Sequence, residues 1–316
     1  MRISTKFHLV LLAFGLAALA VCATSHAADA ERWANLANTV FKCVGQDNEL
    51  PFGVTALAQD GDGFLWIGTQ SGLTRWDGYQ FRTYSPNPKI RGSLPDGYVT
   101  ALHTDDQGRL WIGTNSTGLA LHDRDSDRFI AYPASAKGLS HVSVTAIVDG
   151  DAHTLWVATL GGLDHLDPRT GAIRHVRLSP SAPGGPLDHS VLALLRDRNG
   201  GIWIGTATGL ARFDLGTNDL RQVAFPAEGP TSVAALLEDY KGRIWVGTRG
   251  QGVYVIEGAN APRLIEARLI AERDGTGNHS LHSEIIRTLA EVRPGRIWIG
   301  TGTLGIVEVE IGRAHV

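Results

Sequence analysis

Two groupings of side chains invite a chemical reading. Asp123-x-Asp125-x-Asp127 sets acids at alternate positions, a spacing that brings carboxylate oxygens onto one hard cation such as calcium. A helix–loop–helix calcium loop needs Gly at its sixth position and Glu at its twelfth, where this chain has Arg128 and Ala134. The stretch therefore reads as a polar turn. The second grouping is the 12 histidines, which form no His-x-His or His-x-x-x-His pair with further ligands at close spacing. His153, His165 and His175 read as turn or strand-surface residues. No Gly-x-Gly-x-x-Gly leads a helix and no Walker-type lysine is present, so no metal, nucleotide or cofactor is expected. With a net charge of −3 the chain lacks the basic field that nucleic acid requires.

The elements that must position any site announce themselves by repetition. Phe64-Leu65-Trp66-Ile67-Gly68-Thr69-Gln70-Ser71-Gly72-Leu73-Thr74-Arg75-Trp76-Asp77 has five further copies, whose tryptophans are Trp111, Trp156, Trp203, Trp245 and Trp298. A Gly-apolar pair follows each Trp, and an acid stands four residues beyond: Asp77, Asp123, Asp167, Asp214, Glu257 and Glu310. The Trp-to-Trp intervals are 45, 45, 47, 42 and 53 residues, the length of a four-stranded propeller blade. The fold class predicted is all-β: a β-propeller of four-stranded antiparallel blades with six repeats visible, a seven-bladed design whose last blade is incomplete.

Blade one illustrates the plan. Residues 54–58 form a small, apolar inner strand, Asp60-Gly61-Asp62-Gly63 a turn, and 64–69, 73–76 and 79–84 the remaining strands. The turn recurs as Asp105-x-x-Gly108, Asp197-x-x-Gly200 and Asp239-x-x-Gly242, with Asp accepting from backbone N–H groups and Gly free to take positive φ. Blade three departs with Asp149-Gly150-Asp151-Ala152, and blade six has Glu291 with Gly295. Strands packed on both faces read as short apolar runs, as Leu-Trp-Ile and Ile-Trp-Val do, so each Trp is assigned to the space between blades. The inter-blade connections 85–97, 178–188 and 259–284 are long and rich in Pro, Gly, Asn and polar residues. Such insertions gather on one face of a repeat fold, often the binding face.

The ends are read separately. Arg2, Lys6, the apolar run 9–21 and Ser25-His26-Ala27 make residues 1–27 an export signal, too short in its apolar part for a span of about 20 residues. Residues 28–38 form a leader, and 39–310 the propeller, in which Thr39–Val44 is a strand that closes the last blade. The third strand of blade six finishes near Glu310 with no fourth strand after it. Residues 311–316 resemble translated sequencing adapter, a tail expected to be non-native on a truncated gene product. Cleavage of the signal leaves Cys43 as the one cysteine, and hence no intrachain disulfide.

These repeats resemble the periplasmic two-component regulator propeller of bacterial sensor proteins. That family's repeat has an Asp-x-x-Gly turn, an apolar-Trp-Ile-Gly-Thr strand and Gly-Leu-x-x-x-Asp. Blade one adds Arg75-Trp76-Asp77-Gly78 and Phe81-Arg82-Thr83-Tyr84, and Leu94-Pro95-Asp96-Gly97-Tyr98-Val99 and Leu139-Ser140-His141-Val142-Ser143-Val144 match its lead into the inner strand. The resemblance spans about residues 41–310. It implies an exported sensing region, often of two seven-bladed propellers, followed by an immunoglobulin-like domain, a membrane helix and a histidine kinase or diguanylate cyclase. The implied full-length protein is a homodimer anchored in the inner membrane, with this region in the periplasm.

Two alternatives compete with a non-catalytic sensor: an exported propeller enzyme acting on glycans, as hydrolase or lyase, and a structural protein-interaction module. The acid box of sialidase-type propellers, Ser/Thr-x-Asp-x-Gly-x-x-Trp, is met only by Thr104–Trp111, because the other turns place Asp six residues before Trp. No cluster of arginines stands at equivalent inner-strand positions to hold a substrate carboxylate. No catalytic residue is assigned. One ligand-binding group emerges from the plan: Asp96, His141, His189 and Ser283 precede inner strands, and Gln70, Asn115 and Arg249 follow second strands, all at one mouth of the ring. Converging polar side chains there suit a small polar ligand or a glycan fragment.

Overall fold

The computed structural model describes residues 53–176, 178, 189–217, 219–226, 229–257, 265–266, 268–269 and 285–310. The export signal, the leader, Thr39–Val44, Ser283 and the 311–316 tail lie outside them. The described residues contain no helix and build six sheets, one for each repeat. Blade one is Val54–Gln59, Leu65–Thr69, Leu73–Trp76 and Phe81–Tyr84, paired antiparallel in chain order. Blades two and three repeat this with Val99–Thr104 and Val144–Asp149 as inner strands. Blades four and five share the long 259–284 connection. Its Ile265–Glu266 runs parallel to the outer strand Asp219–Ala224 of blade four, and its Arg268–Leu269 pairs with Val253–Ile256 of blade five. Blade six shows three strands, Ile286–Arg293, Arg296–Thr301 and Ile306–Glu310. Six blades are thus observed, and no seventh is found among the described residues.

Inner strands pack side by side from blade one to blade six, and two repeated devices set their spacing. The Gly two residues after Trp has no room for a side chain. A Cβ at Gly68, Gly113, Gly205 or Gly247 would lie 2.5–2.7 Å from Val99, Val144, Val233 or Ile286 at the start of the next inner strand. Threonines then bond blade to blade: Thr55, Thr100 and Thr145 hydroxyls donate to the carbonyls of Val99, Val144 and Val191 at 2.6, 2.5 and 2.6 Å. The tryptophans fill the wedge between blades, and Trp66, Trp111, Trp156, Trp203 and Trp245 are buried. Trp298, which no described blade follows, is half-buried.

The turn acid does more than hold its hairpin. In blade two, Asp105 Oδ1 accepts from the N–H groups of Gln107 and Arg109, while Oδ2 takes Trp111 Nε1–H at 2.8 Å and Arg109 Nε–H at 2.7 Å. Blade five repeats this with Asp239, Trp245 and Arg243 at 2.9 and 2.7 Å. Blade four draws the guanidinium from its third strand, where Arg212 Nε reaches Asp197 Oδ2 at 2.7 Å beside Trp203. Gly201 makes this possible, because a Cβ there would sit 2.3–2.6 Å from the Arg212 head group. Blade six exchanges the sources: Glu308 of the third strand accepts from Trp298 Nε1 at 2.7 Å and pairs with Arg296. Blade three breaks the pattern. Gly150, not Asp149, occupies the turn-acid position, since Gly150 N–H bonds Thr154 O as Asp105 N–H bonds Arg109 O. Trp156 Nε1 is therefore buried with no partner.

Candidate functional site

Each inner strand starts, and each second strand ends, at one mouth of the blades, and the described members of the predicted group sit there. Within a blade the two loops are tied by the backbone: Asn115 N–H to Tyr98 O at 3.0 Å and Arg249 N–H to Ser232 O at 2.9 Å. Asp96 is committed to this tie. Its Oδ2 accepts from Ser116 N–H and hydroxyl at 2.8 and 2.7 Å, and its Oδ1 from Tyr98 N–H at 3.1 Å. Burial alone raises the Asp96 pKa, but these bonds outweigh it and hold the carboxyl below its ordinary value. His141 Nδ1 accepts from Ser143 N–H at 3.0 Å, which places a neutral ring's proton on Nε2. Gln70, Asn115, His189 and Arg249 are exposed. No hydrogen bond joins a group member of one blade to that of another among the described residues, and Ser283 lies outside them.

The opposite mouth, where the Asp turns lie, carries two clefts that the repeat pattern did not single out. The larger, about 490 Å³, opens between blades one and two. It is lined by a partly buried polar knot centred on Asp127, which is held at φ 51°. Asp127 accepts from Tyr84 OH at 2.9 Å, meets His122 Nε2 at 3.0 Å and pairs with Arg82. Burial and the Asp127 bond push the Tyr84 pKa up to about 12, so the hydroxyl remains a donor at neutral pH. Burial works against the Asp127 charge, yet the His122 and Tyr84 bonds and Arg82 keep its pKa below the usual carboxylate value. Asp123 meanwhile turns to Ser126 and Asp125 N–H, so the three alternate acids diverge. Across the opening Arg124 of blade two pairs with Asp62 of blade one.

Arg75 lines this same cleft and is the unusual member. It stands opposite Trp66 on the third strand, as Arg212 stands opposite Trp203. Asp60 Oδ2 takes only Trp66 Nε1–H at 2.7 Å. Phe64 fills the position of Gly201, and the Arg75 guanidinium lies over its ring, 4.6 Å from the centroid and 5.8 Å from that of Trp66.

The second cleft, about 440 Å³, lies between blades two and three. The turns around it are clasped reciprocally: His103 Nε2 meets Asp149 Oδ1 at 3.0 Å, and His153 Nδ1 meets Asp106 Oδ2 at 2.7 Å. His153 takes the Gly position of the turn at φ 61°, beside Ala152 at φ 53°. Among the described residues no three His, Cys, Asp or Glu side chains are placed to share an ion. Laid in register, the repeats would have exposed the first cleft's signal, since Phe64 replaces the Arg109, Gly201 and Arg243 of blades two, four and five.

Comparison with known proteins meets this geometry at the repeats. The family model described as "Two component regulator propeller" matches residues 53–71, 93–116, 185–208 and 228–250, the lead into and first hairpin of four blades. Those four segments are similar to the repeats of that family. No curated protein matches significantly by sequence. Among solved structures, the extracellular domain of a hybrid two-component system from B. thetaiotaomicron is similar at TM-score 0.70 and 24% identity, over 85% of this chain and 35% of that one. PorZ, a surface component of the type-IX secretion system of Porphyromonas gingivalis, is similar at TM-score 0.62 and 17% identity, over 83% and 40%. Virginiamycin B lyase from Staphylococcus aureus aligns at TM-score 0.59 and 12% identity, over 85% and 86%. These likenesses establish the propeller fold. The chain spans about a third of the length of the first structure.

Proposed function

We propose that the chain is a ligand-sensing, non-catalytic propeller region of an exported signal-transduction protein, with residues 1–27 directing it to the periplasm. The observation that carries this reading is the match of four blades to the two-component regulator propeller. The fold shared with the extracellular domain of a hybrid two-component system supports it. On this reading the intact product adds a seventh blade, a membrane anchor and a kinase or cyclase, and works as a homodimer. A small polar ligand or glycan fragment engages the mouth formed by Gln70, Asp96, Asn115, His141, His189, Arg249 and Ser283. Binding acts through unequal affinity for two packings of neighbouring domains, since equal affinity shifts no equilibrium. The test is to read the gene downstream of the Glu310 codon. A frame that continues into a span and a kinase or cyclase is expected; an in-frame stop directly after the Val316 codon would overturn the reading.

A further inference from the structure

The blade one–two cleft holds a guanidinium, that of Arg75, with no ion pair among the described residues. An arginine hydrogen-bonded to a buried carboxylate is a structural part, as Arg212 is with Asp197 at 2.7 Å. Arg75 has the same strand position and an acid in the same turn, but the Phe64 ring occupies the space that Gly201 leaves open in blade four. It stacks on aromatic faces, and its described contacts are those rings, 4.6 and 5.8 Å away. Stacking engages the face of a guanidinium and leaves its in-plane N–H donors free, in the fork geometry that matches a carboxylate. Those donors border a cleft of about 490 Å³, within the size range of small-molecule sites.

We propose that this cleft binds a small monocarboxylate, with Arg75 as the residue that holds its carboxylate in bidentate fashion. The remaining charges define the class. Arg82 is taken by Asp127, Arg109 by Asp105 and Arg124 by Asp62, so among the described residues lining the cleft Arg75 is the arginine with no ion pair, one cation for one anionic group. Asp60 of blade one and Asp123 and Asp125 of blade two line the same cleft, so a second carboxylate on the ligand is repelled, whereas hydroxyl or ammonium donors are accepted. Hydroxy acids and amino acids satisfy both conditions. The site does not depend on signalling. Binding with no effect on any output would count against the sensor reading alone, and an output driven by an unrelated ligand would leave the site standing.

The test uses the purified full chain, with calorimetry and thermal unfolding against lactate, alanine, propane-1,2-diol and succinate. Lactate or alanine should bind saturably and raise Tm, the neutral diol should do neither, and succinate should bind more weakly than lactate. Arg75→Ala should weaken the carboxylate by roughly 10- to 100-fold, as loss of charge-assisted hydrogen bonds does. Arg75→Lys, which keeps charge but not the fork, should recover only part of it. Phe64→Gly provides a reading that simple charge loss does not. It opens the blade-four route, lets Arg75 fall onto Asp60 and should abolish binding with the arginine still present, in a protein whose cooperative melt reports its folding. The proposal is overturned if neither lactate nor alanine binds, if the diol binds as well as lactate, or if Arg75→Ala binds as the parent does.

Discussion

Replacement of Asp239 by Ala probes the device on which the blades depend. Asp239 is fully buried and accepts four hydrogen bonds: Lys241 N–H at 2.9 Å, Arg243 N–H at 3.0 Å, Arg243 Nε–H at 2.7 Å and Trp245 Nε1–H at 2.9 Å. Truncation leaves the indole N–H of a 2%-exposed Trp without an acceptor, a cost of about 1–3 kcal/mol. It also strands the largely buried Arg243 charge; breaking a buried ion pair from one side costs about 3–5 kcal/mol. These costs overlap, so the expected loss is about 3–5 kcal/mol. Asp60→Ala supplies the contrast, because Asp60 is half-buried and has no guanidinium partner among the described residues; its expected loss is about 1–2 kcal/mol. Urea unfolding followed by far-UV circular dichroism measures both, with a check that the denaturant slope is unchanged, since repeat folds can lose cooperativity. Equal losses at the two sites, or less than about 1 kcal/mol at Asp239, would refute the reasoning.

Acidity, blade three, the inter-blade glycines and the left-handed turn give further tests. Burial opposes the Asp105 and Asp239 charges, but the Trp and Arg bonds win and depress both pKa values below 3.8. A depressed carboxyl stabilises the fold above its unfolded pKa and loses that contribution as pH falls through the folded value. The Tm gap between parent and Asp239→Ala should thus be full at pH 6 and close below about pH 3.8; a gap constant to pH 2 would contradict this. In blade three, Gly150→Asp alone should destabilise, because its Cβ would lie 2.4 Å from Thr154 Oγ1. Adding Thr154→Arg should recover about 1–2 kcal/mol by rebuilding the acceptor for Trp156, read as a double-mutant coupling. Gly113→Ala should cost about 1–3 kcal/mol, since the new Cβ falls 2.7 Å from Val144 Cγ1; an unchanged Tm would reject the close-approach argument. His153→Gly should be more stable than His153→Ala by about 1 kcal/mol in thermal unfolding, because both lose the Asp106 contact but only Gly takes φ 61° freely.

The scaffold was legible because each blade repeats the same physical problem. Trp, the Asp turn and the Gly-apolar pair recur at fixed offsets, and the predicted strands of blade one fall within two residues of those observed, with 79–84 shortened to Phe81–Tyr84. Exceptions were harder to read. Asp149 looks like the blade-three turn acid by type, yet the count back from Trp156 and the backbone bonding both place Gly150 there. The Gly two residues after Trp was placed within the second strand without a reason for its type, and the neighbouring inner strand is what excludes a side chain. Of the described mouth residues, Asp96 and His141 are bonded into their own loops, which topology alone does not reveal. Arg75 escaped notice because its meaning rests on a comparison between blades: the same Arg is structural when Gly stands beside it, as at Gly201, and free when Phe64 does. A single copy carries no such contrast.

The central claim is that the cleft between blades one and two binds a small monocarboxylate through Arg75 and leaves it unaltered. Ligand-observed NMR of lactate or alanine with catalytic amounts of the purified chain, followed by one-to-one titration, tests it most directly. The account predicts saturable line broadening that Arg75→Ala removes, with the ligand resonances unchanged in position and area after prolonged incubation. Conversion of the ligand to new resonances, or line widths that do not respond to the protein at any ratio, would contradict it.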